Sequence, residues 1–139
     1  MKQPVFRTRP EAAIQKRIIA FLRARGWTVK PTHGNAFSKG WPDLWCWHQG
    51  MQIFRWVDCK NPADFEYTKA QIQTWPLWEA DGIGVWIMFE ADEENYSKLW
   101  EPHNFRHYWK PRYDKHLRNP LDIIAELLDD DPEYGIIEV

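Results

Sequence analysis

The chain has 139 residues, a formal net charge of −2, ten tryptophans and two cysteines. That length fits a single domain, residues 1–139, with a core over about residues 8–90 and a C-terminal extension of the same domain over 91–139, large enough to need no disulfide or metal staple. No apolar run is long enough to span a membrane and no apolar segment follows the basic N-terminus, so neither a membrane span nor a signal peptide is expected and cytoplasmic residence is the default expectation.

The first predicted element is a helix that begins near Glu11. Ile14, Ile18, Phe21 and Leu22 recur at three- and four-residue spacing, and Gly26 is the predicted stop. Glu11 lies on the side of Ile14 and Ile18, which the core should bury, so its carboxylate can reach the sheet. The competing reading is a capping box, Thr8-Arg9-Pro10-Glu11, in which the glutamate turns back to the N-cap amide and does no chemistry. The loop that follows carries His33, Asn35, Ser38 and Lys39 and would overhang whatever site Asp43 builds.

Asp43 to His48 is rich in aromatic residues, Gln49-Gly50 is a turn, and Met51 to Lys60 reads as a second strand. With Gln49 and Gly50 as a two-residue loop, His48 pairs with Met51 and Asp43 falls opposite Trp56. Opposite residues share a face and side chains alternate with period two, so Asp43, Asp58 and Lys60 point to one side of the sheet. The same register puts Cys46 opposite Ile53, away from Cys59, and predicts two reduced, buried thiols.

Two converging carboxylates are the ligands that Mg²⁺ or Mn²⁺ prefers, because hard cations select oxygen donors. A lysine beside them would face the scissile phosphate or the attacking water, which is the chemistry of phosphodiester cleavage. An Asp-x-Lys pair on a solvated strand gives the same tripeptide with no chemistry, and the surrounding motifs decide between the two.

Thr68-Lys69-Ala70-Gln71 opens a second helix. Gln71 either closes another capping box or aims at the site to orient a water or phosphate. Pro76 should kink or restart this helix, and Trp75, Leu77 and Trp78 are predicted core. Val85 to Phe89 is a buried strand by its continuous apolar character. From Glu101 to Arg118 no period is clear, and short elements over one sheet edge are expected; His103 and His107 have a zinc-compatible spacing without a second ligand pair. Leu121 to Leu128 reads as a short amphipathic helix, and Gly135 to Val139 as an edge strand or dimer contact.

In order, Glu11, Gly40-Trp41-Pro42-Asp43, Asp58-Cys59-Lys60 and Gln71 resemble the motifs of the VRR-NUC family within the PD-(D/E)XK nuclease superfamily. The resemblance runs from Glu11 through Phe89, and it departs from the family in carrying aspartate at position 58, where glutamate is usual. It implies an α/β restriction endonuclease-like core, a mixed central β-sheet flanked by α-helices. It further implies that Glu11, Asp43, Asp58 and the Cys59 carbonyl hold one or two Mg²⁺ (or Mn²⁺) ions, with Lys60 and Gln71 completing a catalytic set. By analogy with stand-alone members, the partners would be branched DNA and a second copy of the chain, in a phage or mobile-element context. Restriction-like, flap or exonuclease cutting on the same core, and a non-catalytic DNA-binding or assembly protein, are the alternatives.

The acidic net charge opposes nucleic-acid binding, but its distribution does not. Residues 1–60 hold eleven Lys and Arg against three acids, and 98–118 hold six against two; 61–97 hold one against eight, and 119–139 none against seven. Such a layout can present a basic face to a phosphate backbone. Arg7, Arg9, Lys16, Arg17, Lys30 and Lys39 are the predicted phosphate contacts, with His33, Asn35 and Ser38 from the loop. Most tryptophans are expected in the core or a dimer contact, and Trp41, beside the Asp43 turn, is the candidate for contact with DNA.

Overall fold

The computed structural model describes residues 9–32 and 39–130, so Arg7, Thr8, His33, Asn35, Ser38 and the 135–139 segment lie outside the described residues. In chain order the elements are α1 (Arg9–Ala24), β1 (Trp27–Pro31), β2 (Leu44–His48), β3 (Ile53–Cys59), α2 (Lys69–Ala80), β4 (Val85–Met88), α3 (Glu93–Ser97) and α4 (Pro120–Asp130). Three short 3₁₀ helices, Lys98–Trp100, Phe105–Tyr108 and Pro111–His116, fill the interval before α4. The sheet is mixed, in the order β1-β2-β3-β4, with β1, β2 and β3 antiparallel and β4 parallel to β3. A parallel neighbour requires a crossover, and α2 supplies it.

Each sheet face has its own core. On one face Ile14, Ile18 and Leu22 of α1 pack against Trp27, Val29, Leu44, Cys46, Val57, Cys59 and Met88. On the other, Ile72 and Trp75 of α2 join Val85 and Ile87, with Tyr67, Phe105 and Tyr113 closing the layer. Phe105 and Tyr113 come from the segment that lacks periodicity, and hydrogen bonds hold them in place. The Tyr67 hydroxyl donates to the Phe105 carbonyl at 2.6 Å, and the Tyr67 amide donates to the Tyr113 hydroxyl at 3.1 Å. Burying two such rings contributes about 1.5–3 kcal/mol each, so this segment belongs to the folded unit.

α1 ends where predicted. Gly26 has φ +93°, a left-handed value that favours glycine, and a Cβ there would lie 2.7 Å from His48 Nε2. The strand at Trp27–Pro31 is an element the sequence reading lacks. α2 runs as one helix through Pro76, so of the expected kink or restart the restart does not occur. Of its three expected core residues, Trp75 is fully buried and Trp78 half-buried, but Leu77 is 37% exposed because it sits on the outer side of the helix.

The hairpin register corrects the predicted one. His48 pairs with Ile53, not Met51, and Cys46 with Arg55, not Ile53. The loop has four residues: the Gln52 amide donates to the His48 carbonyl at 2.8 Å, His48 Nδ1 accepts from the Met51 amide at 3.2 Å, and Gln52 takes φ 55°. His48 Nε2 then donates to the Arg25 carbonyl at 2.9 Å, which fixes the tautomer and ties the loop to the end of α1. Leu44 faces Val57, so Asp43 comes to lie beside Asp58 and not opposite Trp56. The pairing has moved by two residues, which preserves every face.

Both cysteines are free and buried. Burial pushes the Cys46 thiol up to about 12. A disulfide-exchange reagent at neutral pH is expected to titrate neither thiol in the native protein and both in urea; reaction of either native thiol at the unfolded rate would contradict this burial.

Candidate active site

Three local features deliver the site residues to one end of the sheet. Asp43 immediately precedes β2, Asp58 is the penultimate residue of β3, and Lys60 follows the end of that strand. The turn before Asp43 is held against α2. Gly40 has φ +84° and approaches so closely that a Cβ would sit 2.8 Å from both the Ala70 carbonyl oxygen and Thr74 Oγ1. Trp75 Nε1 donates to the Gly40 carbonyl at 2.8 Å. Glycine is required here by both its conformation and its contact distance.

The two aspartates grip each other through backbone amides. The Asp43 amide donates to Asp58 Oδ1 at 3.0 Å, and the Cys59 amide donates to Asp43 Oδ2 at 2.9 Å. Asp43 is 8% exposed, Asp58 1% and Lys60 4%, so two carboxylates and an ammonium are concentrated in a nearly dry volume. Lys60 Nζ is 3.0 Å from Asp58 Oδ2, yet the approach is out of hydrogen-bonding alignment, and Oδ2 is left buried with no hydrogen bond. The other contacts of the ammonium are directed: Gln71 Oε1 at 3.0 Å and the Glu66 carbonyl at 3.1 Å. The rings of Tyr67 and Trp75 lie 5.4 and 5.9 Å from Nζ. Two acceptors, a carboxylate and two aromatic faces form the surroundings of a charged, immobile lysine.

Gln71 serves both of the roles that the sequence left open. Thr68 Oγ1 accepts from the Gln71 amide at 3.1 Å and Gln71 Oε1 accepts from the Thr68 amide at 3.0 Å, which closes the capping box. The same Oε1 accepts from Lys60, and Nε2 reaches toward Asp58 Oδ1 at 3.4 Å. Because Thr68 N and Lys60 Nζ can only donate, the amide oxygen must face them and the NH₂ must face the carboxylate. One cap therefore also locks the orientation of the site lysine.

Glu11, half-buried in the first turn of α1, acts on the same region. Burial raises the Cys59 thiol well above its ordinary range, and the charges of Asp43, Asp58, Cys46 and Glu11 add to the rise. The Glu11 charge is thus felt at Cys59, between Asp58 and Lys60 in the sequence. Among the described residues no group of three or more His, Cys, Asp or Glu side chains is arranged to hold a metal ion. The residues still fit a hard divalent cation. The donors are all oxygens, their charge is negative, and Asp58 Oδ2 accepts no hydrogen bond.

The predicted phosphate contacts among the described residues are spread over several elements. Lys16 is exposed on α1, and Lys30 is exposed on β1 opposite Trp45. Arg17 is engaged elsewhere, with Nε and an Nη donating to the Glu90 carboxylate at 2.8 and 2.9 Å. Arg9 begins α1, and Lys39 is exposed immediately before the Gly40 turn. Trp41 is 41% exposed and packs edge-on against Trp56 and Trp78, at 5.7 and 5.9 Å between ring centres. His103 Nε2 is occupied by Glu79 at 3.0 Å. The residues that the sequence reading missed are those enclosing Lys60, namely Tyr67 and the Glu66 carbonyl; the Thr68–Gln71 capping pattern beside them is the signal that marks the place.

The chain matches no family profile, no curated protein and no solved structure. The fold is α/β with a four-stranded mixed sheet and helices on both faces. No helix among the described residues is long and apolar enough to cross a membrane.

Proposed function

We propose that this protein is a metal-dependent DNA endonuclease with a restriction endonuclease-like core, related to the VRR-NUC family, that hydrolyses phosphodiester bonds in branched DNA. The observation that carries the reading is the buried Asp43–Asp58–Lys60 group, in which a carboxylate oxygen stands 3.0 Å from an ammonium without a hydrogen bond. Two carboxylates and an ammonium concentrated out of water are suited to receiving a further ligand.

Asp43, Asp58, the Cys59 carbonyl and Glu11 would hold Mg²⁺ or Mn²⁺. The ion would supply polarisation of the phosphate and a lower pKa for water. Lys60 contributes fixed positive charge. Its surroundings are acceptors and π faces, so it donates hydrogen bonds and offsets the negative charge that grows on the phosphoryl oxygens as the water–phosphorus bond forms and the ester bond breaks. Gln71 holds the ammonium in place and can present its NH₂ to the incoming phosphate. Tyr67 and Trp75 keep water from the lysine stem, which strengthens its field.

A homodimer acting on a junction would present two such sites to one substrate. The half-exposed strip of Trp45, Trp47 and Trp56, continued by exposed Phe54, supports self-association, since contiguous aromatic surface is common at subunit contacts.

The test is cleavage of linear duplex, single strand, flap and four-way junction DNA in Mg²⁺, Mn²⁺ and EDTA. Junction cutting in either metal and none in EDTA is the expected result. Cutting confined to linear or flap DNA would keep the nuclease and reassign its substrate. Tight binding with no cutting of any substrate would overturn the enzyme in favour of a DNA-binding protein.

A further inference from the structure

Two adjoining grooves meet at the start of α2, and both are lined with cations. The first, about 370 Å³, is bordered by Lys39, Lys69 and Arg118 together with Gln73 and Thr74, and among the described residues no acid lines it. The second, about 220 Å³, shares Lys69 and adds Arg112, Lys115 and His116 from the Pro111–His116 3₁₀ helix. Its single acid, Glu66, is already matched, because Lys110, Arg112 and the Tyr113 hydroxyl all donate to its carboxylate. Among the described residues, Lys39, Lys69 and Lys115 form no ion pair, and all three are exposed.

This surface adjoins the candidate site at two points. Lys39 precedes Gly40, whose backbone is pressed onto Ala70 and Thr74 of α2. Lys69 lies two residues before Gln71, whose side chain touches both Lys60 and Asp58. Three exposed lysines without an ion pair beside a site for phosphate chemistry suit an extended polyanion. A nucleic-acid backbone has that form.

We infer that the phosphate backbone of the substrate runs over the start of α2 and the Pro111–His116 3₁₀ helix, along Lys39, Lys69 and Lys115. The inference rests on the nuclease reading and deepens it. It joins Lys69 and Lys115 to Lys39 as phosphate contacts, and through Lys115 the C-terminal extension becomes a substrate-binding element as well as a core element. The packing of Phe105 and Tyr113 beneath the grooves gives the cations a rigid base.

Binding of a fluorescently labelled duplex, measured by anisotropy in EDTA over a series of KCl concentrations, tests the track without requiring cleavage. Each neutralised phosphate contributes about 0.9 to the slope of log K against log [salt], so K39Q/K69Q/K115Q should flatten the slope by about 2 to 3. The charge-matched R23Q/K98Q/R106Q, away from the track, should keep a slope within about 1 of the parent. Circular dichroism of each variant confirms folding. Equal slopes for the track variant and the parent, or equal flattening in both variants, would overturn the inference. If the parent cuts DNA in Mg²⁺ but the track variant keeps its slope, the track fails and the nuclease stands. If the slope flattens while the parent cuts nothing, the track stands and the nuclease fails.

Discussion

Replacing Lys60 by methionine should destabilise the protein by about 3–5 kcal/mol, the range for removing one partner of a buried charge pair. The Asp58 side chain is 1% exposed and the Lys60 side chain 5%, so little solvent is present to screen the charge left behind. Methionine fills nearly the same volume and keeps contact with Tyr67 and Trp75, which limits the loss from packing. What remains is a pair of aspartates without their cation, together with the Gln71 and Glu66 oxygens that have lost a donor. The double variant K60M/D58N should recover more than half of the loss, because it removes the stranded charge as well. Urea denaturation in EDTA measures all three; a single variant within about 1 kcal/mol of the parent would show that the Lys60–Asp58 pair does not act as a buried ion pair. Cleavage should fall together with stability in K60M and should not return in the double variant. Structural repair and catalytic repair are thereby separated.

The convergence of Asp43, Asp58 and Lys60 was legible because it depends on parity alone. The two-residue loop inferred from Gln49-Gly50 is a four-residue loop, shaped by His48 accepting from Met51 and by Gln52 at positive φ. That shape depends on a histidine anchored to the Arg25 carbonyl, a contact between segments that no local pattern encodes. The register changed by an even number, so the faces survived while the named partners did not. β1 was hidden for a different reason. Its inward Trp27 and Val29 alternate with Thr28 and Lys30, but the run is short and ends in Pro31, which reads as an interruption unless the segment is an edge strand. The 98–118 interval has no period because it is a chain of 3₁₀ turns. Its burial is set by single anchors such as Phe105, and these become visible only when Tyr67 and Trp75 are seen beneath them. Gln71 illustrates the limit of motif reading. The cap and the site contact were posed as alternatives, whereas an amide has two ends and α2 is placed so that each end is used.

Asp43→Asn should lower metal-dependent cleavage by at least about 10²–10³-fold, the scale for losing one preorganised electrostatic group, and at the same time raise stability in EDTA by about 1 kcal/mol. The two effects have one cause. Asp43 and Asp58 lie within one amide hydrogen bond of each other and both are nearly buried, so their like charges repel across a short, poorly screened gap. Asparagine keeps an oxygen to accept from the Cys59 amide, so the local hydrogen bond that positions the β2–β3 end is retained while the repulsion is relieved. If Asp43 were only a structural clamp, the neutral variant would be no more stable and cleavage would scarcely change. Adding Mg²⁺ distinguishes the cases further. The parent should gain stability with metal concentration and D43N should gain much less, because a cation that binds the native state stabilises it by mass action. Paired urea midpoints and single-turnover rates, each with and without Mg²⁺, make this measurement. A parent whose midpoint ignores Mg²⁺ at concentrations that support cutting would separate the aspartates from the metal.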